Sequence, residues 1–435
     1  MNTSAGRTVD SSPSTYSWVV LLVLTLIYAF NFLDRQILTI LAEPIKNDLN
    51  LSDTQLGLLS GFMFAIFYTT FGIPIAWLAD RTHRVRLIAV ACATWSIFCA
   101  SCGLATGFVT LALSRIGVGV GEAGGAPPSY SLISDYFPPH RRALALGLFS
   151  FGVPLGTTAG AAFGGYVAAT FGWRWAFPAV AAPGLILAVV LLLVVRERTR
   201  GVLDAKPDPA LPEAARLSLL ESIVGFFRNR TLALTALAAG VSGFVGYGIL
   251  NWLPAFLMRD KGMTLGDISA WYSLASGVSL ALGLGVGGYL ADQWGKKNPR
   301  AYALLPAWAF LLGVPLFAAA LFAPNWALAL VLVMIPNGLC IVYLAPVLAI
   351  VQNNAPASTR SVSSALLLFV LNLVGIGGGP LFVGFLSDHL VVHFGNDALQ
   401  YAMLALCPFM VLAAGCHYLV SLSLKSKPVS SVGSA

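Results

Sequence analysis

Apolar runs recur along this chain at about 17–42, 55–79, 86–107, 109–133, 143–170, 174–195, 231–257, 268–291, 301–322, 326–351, 361–386 and 398–423. Each approaches the roughly 20 residues that a helix needs to cross the hydrocarbon core of a bilayer. Backbone N–H and C=O groups find no partner in lipid, so a chain built this way has to bond them within each segment. The twelve runs therefore predict an all-α membrane protein. Composition agrees, since 57% of residues are hydrophobic and 10% charged, whereas a soluble surface needs about a quarter charged.

Orientation follows from the 25 lysines and arginines. With both termini placed in the cytoplasm, about nineteen lie on that side, about four outside and about two within the runs, which is the positive-inside asymmetry. The net charge of +7 then reports topology. No basic face interleaved with aromatics gathers in a polar segment, so no nucleic-acid partner is expected. Residues 1–16 are polar, and the first run is longer than a signal-peptide core, which predicts an uncleaved first helix after a short cytoplasmic tail. The chain is expected in the plasma membrane, the inner membrane if it is bacterial, and is expected to act as a monomer.

The runs fall into two groups of six, 17–196 and 231–424, with a polar segment at 197–230 between them and a short tail at 425–435. That segment carries Lys206, Pro207, Asp208 and Pro209, then Leu217, Leu220, Ile223, Val224 and Phe227 along one side of a helix. A tether that lies on the inner membrane surface is expected there.

The cysteines Cys92, Cys99, Cys102, Cys340, Cys407 and Cys416 all fall inside apolar runs and read as core. His389 and His393 stand one helical turn apart beside Asp388, a spacing that suits zinc, but no fourth ligand accompanies them. No metal and no cofactor are expected. Gly119, Gly121 and Gly124 match a nucleotide-loop spacing, yet that loop needs a preceding strand, so close helix packing is the reading here. Gly152, Gly156, Gly160 and Gly164 recur every fourth residue and predict a surface on which two helix groups slide.

Four ionisable residues interrupt the runs: Asp34, Arg35, Arg115 and Glu122. Charges at membrane depth are costly and usually mark an ion or substrate path. Arg115 and Glu122 are two helical turns apart, about 10 Å along one face. Asp34 and Arg115 lie at similar depth, roughly 9 to 12 Å from the outer ends of their runs. Glu122 lies nearer the midplane, where desolvation favours the neutral carboxyl and a nearby arginine the ionised one, so it can exchange a proton. Arg35, about 100° around the helix from Asp34, is expected to face another neighbour. Ion pairs that only staple helices are the alternative for all four.

The second six runs hold essentially no charge, only polar groups such as Tyr247, Asn251, Asn337, Tyr343, Gln352 and Asn372. A cavity between the two groups would have one charged and one apolar wall. That asymmetry suits an amphipathic anion with its head near Arg115 and its tail near Phe244, Trp252 and Leu339.

A repeat links the two groups. Ala76-Trp77-Leu78-Ala79-Asp80-Arg81-Thr82-His83-Arg84-Val85-Arg86 follows the second run, and Gly288-Tyr289-Leu290-Ala291-Asp292-Gln293-Trp294-Gly295-Lys296-Lys297 follows the eighth. Both resemble the signature loop of the major facilitator superfamily. Ala76 and His83 stand where glycines are usual in that family, and Gln293 where an arginine is usual. The resemblance implies twelve helices in two pseudo-symmetric six-helix bundles around a central cavity, with Asp80, Arg81, Arg84, Arg86 and Asp292 at a cytoplasmic gate.

Asn31-Phe32-Leu33-Asp34-Arg35, with Arg115-Ile116-Gly117-Val118-Gly119-Val120-Gly121-Glu122, is similar to the Spinster branch of that superfamily, whose animal members are described as lysolipid and sphingoid-phosphate transporters. Its implied activity is secondary active transport by alternating access, coupled to protons. Glu122 and Asp34 would carry the proton. Arg115, Arg35, Asn31, Tyr247, Asn251, Trp252, Tyr343 and Asn372 would bind an amphipathic anion. A carrier of small hydrophilic organic anions or drugs remains open, as does a receptor or intramembrane enzyme. No HExxH, P-loop or Ser-His-Asp arrangement stands out, so no enzymatic activity is expected.

Overall fold

The computed structural model describes residues 14–79, 81–200, 203, 219–356 and 359–424, and every regular element within them is helical. Local signals set the helix starts. α1 (Thr15–Ile40) begins after Ser14, whose hydroxyl accepts the Ser17 N–H, satisfying one of the first-turn donors that a helix leaves open. The chain continues through α2 (Asp53–Ala79), α3 (Arg84–Cys102), α4 (Phe108–Glu122), α5 (Ala126–Tyr136), α6 (Leu144–Phe171) and α7 (Trp173–Val194). After α8 (Leu219–Arg228) come α9 (Arg230–Arg259), α10 (Leu265–Gly295), α11 (Ala301–Leu321) and α12 (Trp326–Asn354), then α13 (Arg360–Val370), α14 (Gly379–Phe394) and α15 (Leu406–Ser423).

Among the described residues, 10 helical stretches are long and apolar enough to cross a membrane. Two features separate that number from the twelve runs. The run at 109–133 is not one helix: α4 ends at Glu122, and α5 restarts at Ala126 with prolines in its first turn. Pro127 and Pro128 lack N–H donors, so they suit a helix start and not an interior. The last stretch, Val362–Ser423, is 62 residues long and holds two apolar runs.

The repeat extends beyond the loops. α2 opens on a reciprocal cap between Ser52 and Gln55, and α10 on one between Thr264 and Asp267. The separation in sequence between these caps equals that between Asp80 and Asp292. Each cap is followed within a few residues by a π-helical turn, Leu58–Phe62 and Ile268–Tyr272. Such turns widen a helix locally and recur at functional sites.

The glycine stripe does not slide between the two groups. A Cβ at Gly152, Gly156 or Gly160 would press on the backbone of Thr25, Ala29 or Leu33 of α1, and one at Gly164 on the Ile37 side chain. Both partners step by four residues, so two helices of the same half run in register at near-backbone distance. Contact between halves uses other residues: Gly57 and Gly61 of α2 lie against Pro380 and Ile376, while Ser269 of α10 donates to the Ala162 carbonyl at 2.5 Å.

These seams lie toward one end of the molecule. At the opposite end, Pro139–Ser150 packs on helices of the first half and α13 on helices of the second. In α8, within the linker, Leu220, Val224 and Phe227 are exposed while Phe226 is buried. Residues 204–218 of the linker, including Leu217, lie outside the described residues, as does Asp80.

Candidate functional site

α1, α2 and α4 converge on the four charged side chains. Arg35 donates from Nε to Glu122 Oε2 at 2.5 Å. Its guanidinium carbon stands 4.9 Å from the Phe32 ring centroid, 4.6 Å from that of Phe64 and 4.8 Å from that of Tyr68. Phe32 precedes Arg35 by three residues on α1, and Phe64 and Tyr68 are four apart on α2 with rings stacked at 5.4 Å, so helix periodicity alone brings each set to one face. Three ring faces offer negative potential to a cation that is mostly shielded from water.

Arg115 is 2% exposed, and its Nε and Nη1 have no hydrogen-bond partner. The expected partnership of Arg115 with Glu122 is thus replaced by one between Arg35 and Glu122. Arg115 instead lies with its guanidinium carbon 5.5 Å from the Phe64 centroid. Asp34 is 2% exposed with Oδ1 unpartnered, and the Cys99 thiol of α3 lies in hydrogen-bonding contact with its carboxyl group.

Between the halves is a cavity of about 1000 Å³, counted with its open mouth. Of the residues proposed from sequence for the substrate, Arg35, Arg115, Tyr247, Asn251 and Tyr343 line it. Gln36, Thr39 and Asn337 also line it. Phe32, Arg35, Gln36 and Thr39 follow the i, i+3, i+4, i+7 pattern of one helix face, a signal that could have found them. Val153, Leu250, Leu280, Leu284, Ile341 and Ile376 supply the apolar lining.

Several residues anticipated for substrate lie elsewhere. Trp252 is 2% exposed and donates from Nε1 to the Pro380 carbonyl at 2.8 Å, so it fastens α9 to α14. Phe244 packs with Phe382 and Phe409 inside the second half. Leu339 and Asn372 are not among the cavity lining, and Asn31 faces a smaller pocket beside Glu122. A helix pattern gives the face of each residue but not which neighbour covers it.

One end of the cavity is closed by polar contacts across the halves. Thr39 donates to Asn251 at 3.1 Å. Beyond it, Arg259 of α9 grips Asp53 through two bonds, 2.7 and 2.9 Å, and also pairs with Glu43. Lys46 and Ser387 complete the Asp53 carboxylate at 2.6 and 2.7 Å. Asp388 of α14 accepts the N–H groups of Asp53 and Thr54 at 2.9 and 2.8 Å, capping α2 from the other half. This cluster went unseen in the sequence because its members come from four separate segments.

At the other end, Arg84 is 1% exposed and bonds Asp135, Glu197 and Ser131, at 2.5, 2.6 and 2.8 Å, and the Arg198 carbonyl. Asp135 and Ser131 belong to the first half, and Glu197 and Arg198 to the start of the linker that follows it. Arg81 covers the Trp77 ring at 4.0 Å, Arg86 is exposed, and Asp292 is exposed near Tyr302.

Comparison with known proteins adds the following. The family model described as Major Facilitator Superfamily matches residues 24–380. An "MFS-type efflux pump" of Mycolicibacterium smegmatis is 34% identical over 410 residues, covering 93% of this chain and 92% of that protein. Human "Protein spinster homolog 1" is 27% identical over 427 residues, covering 93% of this chain and 80% of that protein. A crystal structure of a bacterial homolog to the human lysosomal transporter Spinster, in an inward-facing and unoccupied conformation, superposes with a TM-score of 0.86 at 32% identity, covering 95% of this chain and 98% of that one.

Proposed function

The chain belongs to the major facilitator superfamily, and on that premise we propose a proton-coupled carrier that moves an amphipathic anion, such as a lysolipid or sphingoid phosphate, by alternating access. It is a transporter similar to Spinster proteins and not an enzyme. Twelve crossings in two six-helix bundles follow if α4 and α5 make one broken crossing and Val362–Ser423 makes two.

The observation that carries the reading is Arg115, a buried guanidinium on the cavity wall with two nitrogens free to donate. A planar fork of this kind suits a phosphate or carboxylate, and the apolar side chains from Leu280 to Ile376 offer a place for a tail. Arg35 is the second cation on that wall, held by Glu122. Protonation of Glu122 would release it toward the anion, which links proton and substrate. Asp34 is the second candidate proton carrier. With the positive-inside orientation, the Arg259 cluster is an outer gate in its closed form and the cavity opens inward. Asp80, Arg81, Arg86 and Asp292 are proposed to act at the inner gate, with Arg84 as its anchor. Both termini then face the cytoplasm of a plasma or inner membrane, and the protein works as a monomer.

Uptake by proteoliposomes tests this. Accumulation of a labelled lysophospholipid should require an imposed pH gradient, and Arg115→Lys should weaken it despite the retained charge. Competition by short-chain organic anions as strong as by lysolipids would overturn the substrate class. Drug efflux is the second reading, favoured by the mycobacterial relative, and in the same assay it predicts competition by cationic or neutral drugs.

A further inference from the structure

The Arg35–Glu122 pair separates two spaces. Arg35 lines the large cavity and not the small pocket, while Glu122 lines the small pocket and not the large cavity. The small pocket, about 250 Å³ counted with its open mouth, is bounded by Tyr28, Asn31, Tyr68, Trp95, Ser129 and Phe149 among others. It lies on the side of the pair toward the start of α1.

Polar atoms with unmet needs gather there. Trp95 is fully buried and its Nε1–H has no partner. Glu122 Oε1 has none either, although Asn31 stands beside the carboxylate. Ser129 donates to the Gly125 carbonyl at 2.7 Å, so its oxygen can still accept. Room for the centre of a water amounts to about 10 Å³, on the order of the 10–15 Å³ that a single water needs, and these polar atoms supply partners for one. Tyr28, on the same wall, is in hydrogen-bonding contact with Tyr130, which is 39% exposed. Two tyrosine hydroxyls thus stand in contact beside the pocket.

We propose that this pocket is a hydration site through which the proton reaches Glu122, with Trp95, Asn31 and Ser129 holding its water, so that proton and substrate approach the Arg35–Glu122 pair from opposite sides. The inference rests on the proton-coupled reading given above. An excess proton arriving as hydronium breaks its O–H bond, forms one to Oε1 and leaves neutral water behind. Glu122 is faced by Arg35 and Asp34 from α1 and by Arg115 from α4, with Tyr68 of α2 over Arg35. Once neutral, it loses its charge-assisted hold on Arg35, and that guanidinium is free on the cavity side.

Trp95→Phe keeps a ring in place and deletes the donor. In proteoliposomes of the full chain it should slow proton-driven lysolipid accumulation several-fold, with a larger solvent deuterium effect, while equilibrium lysolipid binding holds. Undiminished accumulation in Trp95→Phe overturns the hydration route. Should that variant not fold, X-ray radiolysis of the unaltered protein in oxygen-18 water decides: labelled Trp95 and Tyr28 support the site, and unlabelled side chains overturn it. Glu122→Gln separates this from the underlying reading. If it still accumulates substrate on a pH gradient, proton coupling at Glu122 fails whatever Trp95→Phe does.

Discussion

Arg35 Nε and Glu122 Oε2 stand 2.5 Å apart, a bond that ties the first helix to the fourth beside the cavity between the halves. Glu122 has a fully buried side chain, while that of Arg35 keeps 18% of its surface exposed. Breaking a buried pair by removing one partner costs about 3–5 kcal/mol, so separating the two side chains would cost less with the carboxyl neutral.

Arg35→Lys preserves the charge but loses the planar fork and its stacking on Phe32, Phe64 and Tyr68. Each cation–π contact is worth about 0.5–2 kcal/mol, so uptake should fall by roughly tenfold, equivalent to about 1.4 kcal/mol. Initial rates in proteoliposomes check this. A variant with unaltered rates would show that the ring cage does not contribute.

Arg259→Gln strips both Glu43 and Asp53 of their shared cation and should move the population toward forms open at that end. Asp388→Asn should act in the same direction by about 1 kcal/mol, the usual worth of a helix cap. Spin-label distances between Asn50 and Gly262 would lengthen in both variants. An unchanged distance distribution would remove this cluster from gating.

Asp260 follows α9 outside the spans, with both carboxylate oxygens buried and unpartnered. Burial pushes its carboxyl up to about 7; Asp397 and Glu43 add to that, while Arg259 and Lys261 oppose it. The raised value means that the neutral form suits this closed end. Its stabilising contribution is therefore full below 3.8, the ordinary value, and is lost as pH rises through about 7. Thiol labelling of a cysteine placed at Gly262 should accelerate over that range, and Asp260→Asn should flatten the profile.

Gly156→Ala puts a methyl group on the Ala29 carbonyl of α1 and should lower stability by about 1–3 kcal/mol, the cost of overpacking. Gly147→Ala, on the same helix, meets nothing within 4 Å and should be neutral or slightly stabilising. Thermal aggregation midpoints in detergent distinguish the two. Equal midpoints would mean that α1 and α6 part without penalty.

Much of the molecule was legible in order of residues alone. Lipid gives the backbone no partners, so apolar length translates directly into helix, and the repeated Asp80 and Asp292 loops exposed the internal duplication. The isolated charges Asp34, Arg35, Arg115 and Glu122 stood out because nothing else in those runs is ionised. The period that puts Arg35 on one stripe with Phe32, Gln36 and Thr39 was also present in the order of residues but went unread.

Which partner each charge takes was decided by the tertiary structure. The helix period put Arg115 and Glu122 on one face of the same helix, but α1 crosses near enough to bring Arg35 to that carboxylate, and a guanidinium 87 positions away in sequence wins because geometry, and not separation, sets the ion pair. The same holds for the glycine stripe, whose period announced close contact without saying with which helix, and for Arg259, whose carboxylate partners come from the other half. Period and hydropathy act within one segment and are written in it; pairing energies depend on distances between segments, which exist only once the helices have packed.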